Sequence, residues 1–186
     1  MKMIELEKDI ESILITEEEI KQKVEELGKR ISADYRGKSV LMVCILKGSV
    51  VFFSDLVRNI DCNVNFDFMV ASSYGNSTET TNTLNVRLDS SQDITGKDVI
   101  LVEDIIDSGN TLSKLKKMLS ERNPASLRIV TLLDKPERRN PDIDISVDYS
   151  GFSIPDEFVV GYGLDYAEKY RNIPYIGILK RSVYEK

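Results

Sequence analysis

The sequence contains no histidine. Proton transfer in any reaction therefore falls to carboxylates, lysine, tyrosine or cysteine, and a zinc site built from histidine is excluded. Carboxylates are plentiful by contrast, with 31 Asp and Glu residues. Because carboxylates and substrate oxygens are the ligands that Mg²⁺ prefers, magnesium is the expected metal.

Cysteine is scarce, and the 25 Lys and Arg residues are outnumbered by acids. Cys44 and Cys62 both lie in or beside apolar, strand-like segments, and we interpret them as unpaired core or half-buried thiols rather than a disulfide or a reactive group. The chain starts with no apolar leader, so a cytoplasmic protein is expected. The net charge of −6 and the lack of a membrane-length apolar run predict neither a nucleic-acid nor a membrane partner.

Internal repeats, low-complexity tracts and linkers are absent too, so the 186 residues are expected to form a single domain, 1–186. A capping box at Thr16–Glu19 predicts a helix whose apolar face carries Ile20, Val24, Leu27 and Ile31. Further along, strands alternate with helices, which predicts an α/β fold with a mostly parallel sheet. The predicted strands are Ser39–Leu46, Asn63–Ser72, Asp98–Asp104 and Ser126–Asp134, and the predicted helices are Val51–Ile60 and Thr111–Arg122.

One long polar segment, Ser73–Gln92, interrupts this alternation. A polar segment of this length within a compact domain is typical of a lid or a mobile tip. Within it, the run TLNVRLD is an expected hairpin arm.

A turn suited to an anion lies between the Asp98–Asp104 strand and the next helix, with the sequence Asp-Ser-Gly-Asn-Thr at 107–111. Gly109 permits a turn that aims several N–H groups inward, Ser108 and Thr111 add hydroxyl donors, and the helix N-terminus adds partial positive charge. The chain has no GxxxxGK[ST] and no GxGxxG, so this turn is neither a P-loop nor a dinucleotide fingerprint.

Two acids, Glu103 and Asp104, precede this turn. Each carboxylate would repel a phosphate charge about 6 Å away by roughly 3 kcal/mol, whereas the helix terminus returns at most about 2 kcal/mol. The acids are therefore expected to bind hydroxyl groups or a divalent cation on the same ligand, as in a phosphorylated sugar with a vicinal diol. The alternative is that they, and Asp107 as an N-cap, serve only to cap the following helix.

The stretch VILVEDIIDSGNTL resembles the phosphoribosyl-diphosphate motif of type I phosphoribosyltransferases. LKGSVVFFSDL, SSYGNS, LLDKPERR and FSIPDEFVVGYGLDYAEKYRNIPYIGIL resemble the 6-oxopurine (hypoxanthine-guanine) branch of that family, in its order, from about Ile4 to Leu179. The resemblance implies a central, mostly parallel sheet flanked by helices, a flexible active-site loop at about 73–92, and a small base-binding hood built from the N- and C-terminal segments.

The resemblance also assigns the sugar and phosphate contacts. Glu103 and Asp104 would bind the ribose hydroxyls and help hold magnesium. The 5′-phosphate would lie in the turn formed by Asp107, Ser108, Gly109, Asn110 and Thr111. Asp107 would also be the general acid or base at N7 of the purine.

The pyrophosphate contacts would come from elsewhere in the chain. Lys47 and Gly48 would offer backbone amides after a cis peptide bond, and Arg171 would pair with the pyrophosphate oxygens. Asp165 would ligate magnesium, and Ser73 and Tyr74 would lie on the loop that closes over the substrates. Without the resemblance, Lys47 reads as an exposed lysine at a strand end.

For the purine, the resemblance implies that Lys135 donates to the 6-oxo group, Phe158 stacks on the ring, and Val159 contacts the base edge through its main chain, beside Asp165. The alternatives are an exposed lysine within KPERR and two ordinary core strand residues. A lysine donor suits hypoxanthine and guanine and meets the 6-amino group of adenine poorly.

The implied function is transfer of a phosphoribosyl group from phosphoribosyl diphosphate to hypoxanthine or guanine, by a homodimer or homotetramer. The competing hypothesis is a regulator that binds nucleic acid on the same fold, which would need a basic face.

Overall fold

The computed structural model describes residues 4–73 and 84–185 as two sheets flanked by helices. The helices are α1 Ile4–Glu7, α2 Glu17–Asp34, α3 Val50–Val57, α4 Asn110–Ser120 and α5 Arg181–Tyr184, with a 3₁₀ turn at Pro136–Arg138. The strands are β1 Ile10–Ile15, β2 Ser39–Ile45, β3 Asn63–Ser73, β4 Leu84–Leu88, β5 Asp98–Ile106, β6 Ser126–Asp134, β7 Tyr149–Ser153, β8 Val159–Val160 and β9 Ile176–Leu179.

The larger sheet has the strand order β4-β3-β2-β5-β6-β7. All neighbours in it pair in parallel except β3 and β4, which pair antiparallel. The predicted α/β fold with a mostly parallel sheet is therefore confirmed. In β2 every residue after Ser39 is buried, because a central parallel strand is covered on both faces.

Helices cover the two faces of this sheet. On one face, α2 packs with α3 and buries the four predicted residues Ile20, Val24, Leu27 and Ile31. The predicted capping box begins α2, since Thr16 Oγ1 accepts from the N–H of Glu19 and the Glu19 carboxylate accepts from the N–H of Thr16 at 2.8 Å. On the other face, α4 buries Leu112, Leu115 and Leu119.

The smaller sheet, β1-β9-β8, joins the N-terminal and C-terminal segments. Its strands pair antiparallel, with Ile10 opposite Leu179 and Val159 opposite Ile178. A separate apolar cluster, which includes Val160 and Tyr170, packs beneath it.

The polar segment contains the expected hairpin arm, because β4 pairs with the end of β3. The return from β4 is held by Asp67, whose Oδ2 accepts from Ser90, Ser91 and the N–H of Gln92 at 2.7–3.1 Å. Residues 74–83, and with them the predicted contact Tyr74, lie outside the described residues.

The two cysteines lie as expected. Cys44 is buried and Cys62 is half-buried, and neither forms a disulfide within the described ranges. Among the helices of those same ranges, none has the length and apolar character needed to cross a bilayer.

Candidate active site

The predicted site residues collect where parallel strands of the larger sheet end. Lys47 follows β2, Asp107 follows β5 and Lys135 follows β6. Right-handed parallel connections bring such strand ends to one edge, where ligands of α/β folds bind. β5 runs two residues beyond its predicted end at Asp104, because Ile105 and Ile106 continue the pairing with β6.

Both acids, Glu103 and Asp104, lie within β5. Side chains alternate between the faces of a strand, so Glu103 and Asp104 point to opposite sides. Glu103 lines a cavity of about 180 Å³ together with residues 105–112. Asp104 lies against the turn after β2, where its Oδ2 is 1.6 Å from the position that a Cβ would take on Gly48.

That cavity is lined by the predicted anion-binding turn, residues 107–111, which we call the cradle. Gly109 is the N-cap of α4 with φ +81°, in the left-handed region that favours glycine. Ser108 Oγ accepts from the side-chain amide of Asn110 at 3.0 Å, and Asn140 Nδ2 donates to Asn110 Oδ1 at 3.3 Å. Asp107, Ser108, Gly109, Asn110 and Thr111 all line the cavity, as expected for an anion site at a helix N-terminus.

The helix-capping alternative is wrong for all three acids. The N-cap of α4 is Gly109, and the side chain that accepts from the N–H of Asn110, at 3.4 Å, is Ser108 and not one of the acids. Asp107 instead accepts from Arg138 Nε at 3.1 Å. Its carbonyl oxygen accepts from Arg139 Nη1 at 2.9 Å.

Arg138 and Arg139 are functional candidates that sequence reasoning missed. Arg138 joins Asp107 to Asp156, 3.5 Å from its Nη1, and Asp107 raises the pKa of this guanidinium. Arg139 Nη2 lies 2.5 Å from Asp134. The only signal in the sequence is their place at the end of KPERR, the segment that begins with the predicted lysine.

The acid pair on β5 is half-buried and poorly compensated. Burial, and then the neighbouring Asp104, raise the pKa of Glu103 well above its usual range. Glu103 Oε2 is buried with no hydrogen-bond partner among the described residues. Burial also raises the pKa of Asp104 to about 6, although its Oδ1 accepts from the N–H of Ile105 at 2.7 Å. Two such groups are costly in an empty protein and suited to a ligand that brings donors or a cation.

Lys135 is buried, with 8% of its surface exposed, so the alternative of an exposed lysine is wrong. Its Nζ donates to the carbonyl oxygen of Glu157 at 2.6 Å and lies 3.8 Å from Asp156. A buried lysine held by one carbonyl keeps donors for a further acceptor.

Phe158 and Val159 directly follow Glu157, whose carbonyl oxygen holds Lys135, and Val159 is the first residue of β8. One face of the Phe158 ring stacks on Tyr184, with centroids 4.7 Å apart, and Tyr166 meets it edge-on at 5.5 Å. Val159 is a buried strand residue, paired with Ile178. The core-strand alternative thus describes Val159 correctly, and its main-chain contact to a base stays a prediction.

The turn after β2 begins with the expected cis peptide, Leu46–Lys47. The Lys47 side chain is 66% exposed, as the alternative reading held, and its Nζ is 3.1 Å from Glu168. The backbone of Gly48 is packed against Gly163, where an added Cβ would lie 2.0 Å from the Gly48 oxygen.

Arg171 and Asp165 are brought together, with Nη2 and Oδ1 2.8 Å apart. Arg171 Nη1 also donates to the carbonyl oxygen of Gly163 at 2.8 Å, while its Nε is buried without a hydrogen-bond partner among the described residues. A larger cavity, of about 520 Å³, lies between α2, α3 and residues 171–174, and Arg171 is the one predicted site residue that it shares.

The carboxylates do not form a metal cage on their own. Within the described ranges, no three Asp, Glu, Cys or His side chains are close enough to hold an ion. The unpartnered Glu103 oxygen and the acids around it nevertheless fit a hard cation, provided that the ligand supplies the remaining oxygens.

Comparisons with known proteins support the expected family. A family model described as a phosphoribosyl transferase domain matches residues 12–167. The chain is 50% identical to the hypoxanthine-guanine phosphoribosyltransferase of Streptococcus pneumoniae R6, covering 96% of this chain and 98% of that protein. It is 50% identical to the enzyme of the same name from Lactococcus lactis, over 97% of both chains.

A solved structure agrees as well. The crystal structure of a hypoxanthine phosphoribosyltransferase from Staphylococcus aureus superposes with a TM-score of 0.94 and 48% identity, over 100% of both chains. The expected fold is therefore confirmed.

Proposed function

This chain belongs to the phosphoribosyl transferase domain family, and we propose that it transfers the 5-phosphoribosyl group of phosphoribosyl diphosphate to hypoxanthine or guanine. The products are IMP or GMP and pyrophosphate. One observation carries the proposal: a helix-terminal anion cradle stands directly beside two acids, of which Glu103 has a buried oxygen without a hydrogen-bond partner among the described residues. A ligand uses both the cradle and the acids only if it carries a phosphate together with hydroxyl groups or a bound cation.

The sugar and phosphate are held by the chain's own groups. Residues 107–111 hold the 5′-phosphate, and Glu103 accepts hydrogen bonds from the ribose hydroxyls at the mouth of the same cavity. Asp104 faces the turn of Lys47 and Gly48, and so lies between the ribose and the pyrophosphate. Arg171 contributes positive charge to that pyrophosphate side.

Proton transfer falls to Asp107. Its carboxylate is partly exposed at the cradle and paired with Arg138, so it can reach an incoming base while the arginine orients it. It takes the N7 proton of the purine as the base bonds to the sugar.

Recognition of the base falls to Lys135. Its buried ammonium donates to the 6-oxo oxygen, and Phe158 offers the ring face that Tyr184 does not cover. Adenine would leave this lysine facing an amino group, with a buried charged donor unpaired.

Magnesium, when bound, neutralises part of the charge on the diphosphate. No three carboxylates of the described residues converge on one ion, so Glu103, Asp104 and Asp165 would hold it singly or in pairs, with substrate oxygens completing its shell. Ser73 is not on a loop as expected but ends β3, where it pairs with Leu84. Ser73 and Tyr74 would help to cover the bound substrates and exclude water.

Supplying each purine in turn with phosphoribosyl diphosphate and magnesium tests the proposal directly. We expect hypoxanthine and guanine to give nucleotide and adenine to give none above background, measured by the change in ultraviolet absorbance. Product from adenine at a comparable rate would contradict the role of Lys135, and no product from any purine would contradict the function.

Changing Gly48 to Ala tests the contact between the β2 turn and the acids. An added Cβ would lie 1.6 Å from Asp104 Oδ2, and the cheapest relief is to swing that carboxylate away. We expect the KM for phosphoribosyl diphosphate to rise about tenfold, the loss of one hydrogen bond to a charged group, with little change in Tm.

Gly96→Ala is the matched control for that variant. An added Cβ there meets nothing within 4 Å, but φ is +69°, so the strain should lower Tm and leave the KM unchanged. An unchanged KM in Gly48→Ala would separate Asp104 from the substrate.

A nucleic-acid-binding regulator on the same fold is not proposed, because no observation favours it over the enzyme. We keep a homodimer or homotetramer as the expected assembly and the cytoplasm as the expected compartment.

A further inference from the structure

The carboxylate of Glu168 bridges two cations at the expected pyrophosphate subsite, the Arg171 guanidinium and the Lys47 ammonium. Lys47 Nζ is 3.1 Å from both Glu168 oxygens, and Arg171 Nη2 is 3.4 Å from Oε2. The two cations therefore lie within reach of one small anion with paired oxygens, which is the shape that a phosphate group presents to lysine and arginine.

Nothing in the fold requires this pairing for stability. The side chains of Lys47 and Glu168 are 66% and 67% exposed, and an exposed ion pair contributes little to the free energy of unfolding. The position of Glu168 is nevertheless well defined. The backbone N–H of Glu168 donates to Asp165 Oδ2 at 2.9 Å, and Ala167, Glu168 and Tyr170 all have positive φ. This tight turn directs an acid toward Lys47, which lies 121 positions away in sequence.

We propose that Glu168 is the resident counter-ion of the pyrophosphate subsite and sets its affinity by competing for Lys47 and Arg171. The inference rests on the proposed function, which assigns pyrophosphate to Arg171 and to the backbone amide of Lys47, and it adds the Lys47 ammonium to that subsite. An incoming diphosphate displaces the carboxylate, and the carboxylate returns to the cations as pyrophosphate leaves. The competition weakens binding of substrate and product alike, and it favours release of the product.

Glu168→Gln tests this idea, because the amide keeps the size of the side chain and removes the competing charge. We expect pyrophosphate, titrated calorimetrically with excess magnesium, to bind about two- to fivefold tighter, the range expected when an exposed ion pair no longer has to be broken. Its inhibition constant as a product should fall by the same factor. Glu26→Gln is the matched control, because it breaks another exposed ion pair, Lys23–Glu26, on α2.

A double-mutant cycle shows whether Glu168 weakens pyrophosphate binding by occupying Lys47 or only by repelling pyrophosphate through its charge. If Glu168 acts by occupying Lys47, the gain from Glu168→Gln must shrink in a Lys47→Met background. Equal gains in both backgrounds, or affinity in Glu168→Gln no tighter than in the wild type, would overturn the proposal. Should Glu168→Gln fold poorly, Glu168→Ala carries the same expectation.

The wild-type assay keeps this inference apart from the proposed function. Nucleotide synthesis by the wild type, with unchanged pyrophosphate affinity in the variants, refutes the counter-ion alone. No nucleotide synthesis, with the expected gain in pyrophosphate affinity, refutes the function and leaves the counter-ion standing.

Discussion

Replacing Asp107 with Asn is expected to lower kcat about 10²–10⁴-fold, the contribution of one positioned acid-base group. The amide keeps the shape of the side chain but can neither take nor return the N7 proton. Histidine is absent from the chain, so no imidazole can replace it. Initial rates with hypoxanthine measure the loss.

Binding of phosphoribosyl diphosphate should change little in this variant. The main chain of residues 107–111 still forms the cradle, and the carbonyl oxygen of Asp107 still accepts from Arg139. Asp142→Asn, at an exposed position after the same arginines, is the control and should keep full activity. Near-wild-type turnover in Asp107→Asn would remove this residue from the acid-base role, and lost substrate binding would make it a phosphate ligand instead.

The fold could be predicted where its signals are local. β2 is a run of apolar residues buried on both faces, and α2 carries its cap and its apolar face in one stretch of sequence. Element ends were harder: α3 stops at Val57 rather than Ile60, because the N–H groups of Asn59 and Ile60 turn back to Leu56 and Val57.

Pairings between distant segments carried no such signal. Ile10 pairs with Leu179 in the smaller sheet, and neither segment alternates strongly enough to predict its partner. The hood was expected from the family resemblance and not from periodicity.

In the site too, contiguous motifs could be predicted and contacts between distant residues could not. The cradle at 107–111 is one contiguous motif, so it could be read directly. The pairs Asp107–Arg138 and Lys47–Glu168 join residues 31 and 121 positions apart. Charges are common on any surface, and only the folded chain shows which of them meet. Burial of Lys135 depends in the same way on Glu157, which lies 22 positions later.

Glu103→Gln should separate stability from function most sharply. Its carboxyl is buried with a raised pKa, so the folded protein binds a proton more tightly there than the unfolded chain does. This group's contribution to stability is therefore complete below its unfolded pKa of about 4.5 and is lost as pH rises toward its folded pKa. Asp104 adds a similar loss up to a pH of about 6. In the absence of magnesium, the wild type should thus become less stable from about pH 4.5 upward.

In the Gln variant, position 103 cannot ionise, so its share of the loss of stability with pH is absent. At pH 8 with a chelator present, we expect its free energy of unfolding to exceed that of the wild type by about 1–3 kcal/mol, the cost of an unsatisfied buried group. Tm should rise by about 2–4 °C for each kcal/mol. Glu121→Gln, at an exposed position, should show no comparable gain.

Activity should move the other way, because the variant loses the charged acceptor that holds the ribose hydroxyls and helps hold the cation. Two hydrogen bonds to a charged group contribute about 1.5–3 kcal/mol each, so kcat/KM should fall about 100-fold or more. Thermal melts with magnesium and phosphoribosyl diphosphate should then reverse the order, since ligand binding stabilises the wild type more than the variant. A Glu103→Gln protein that is less stable than the wild type without ligand, or equally active, would show that the Glu103 carboxylate neither strains the empty protein nor serves the sugar.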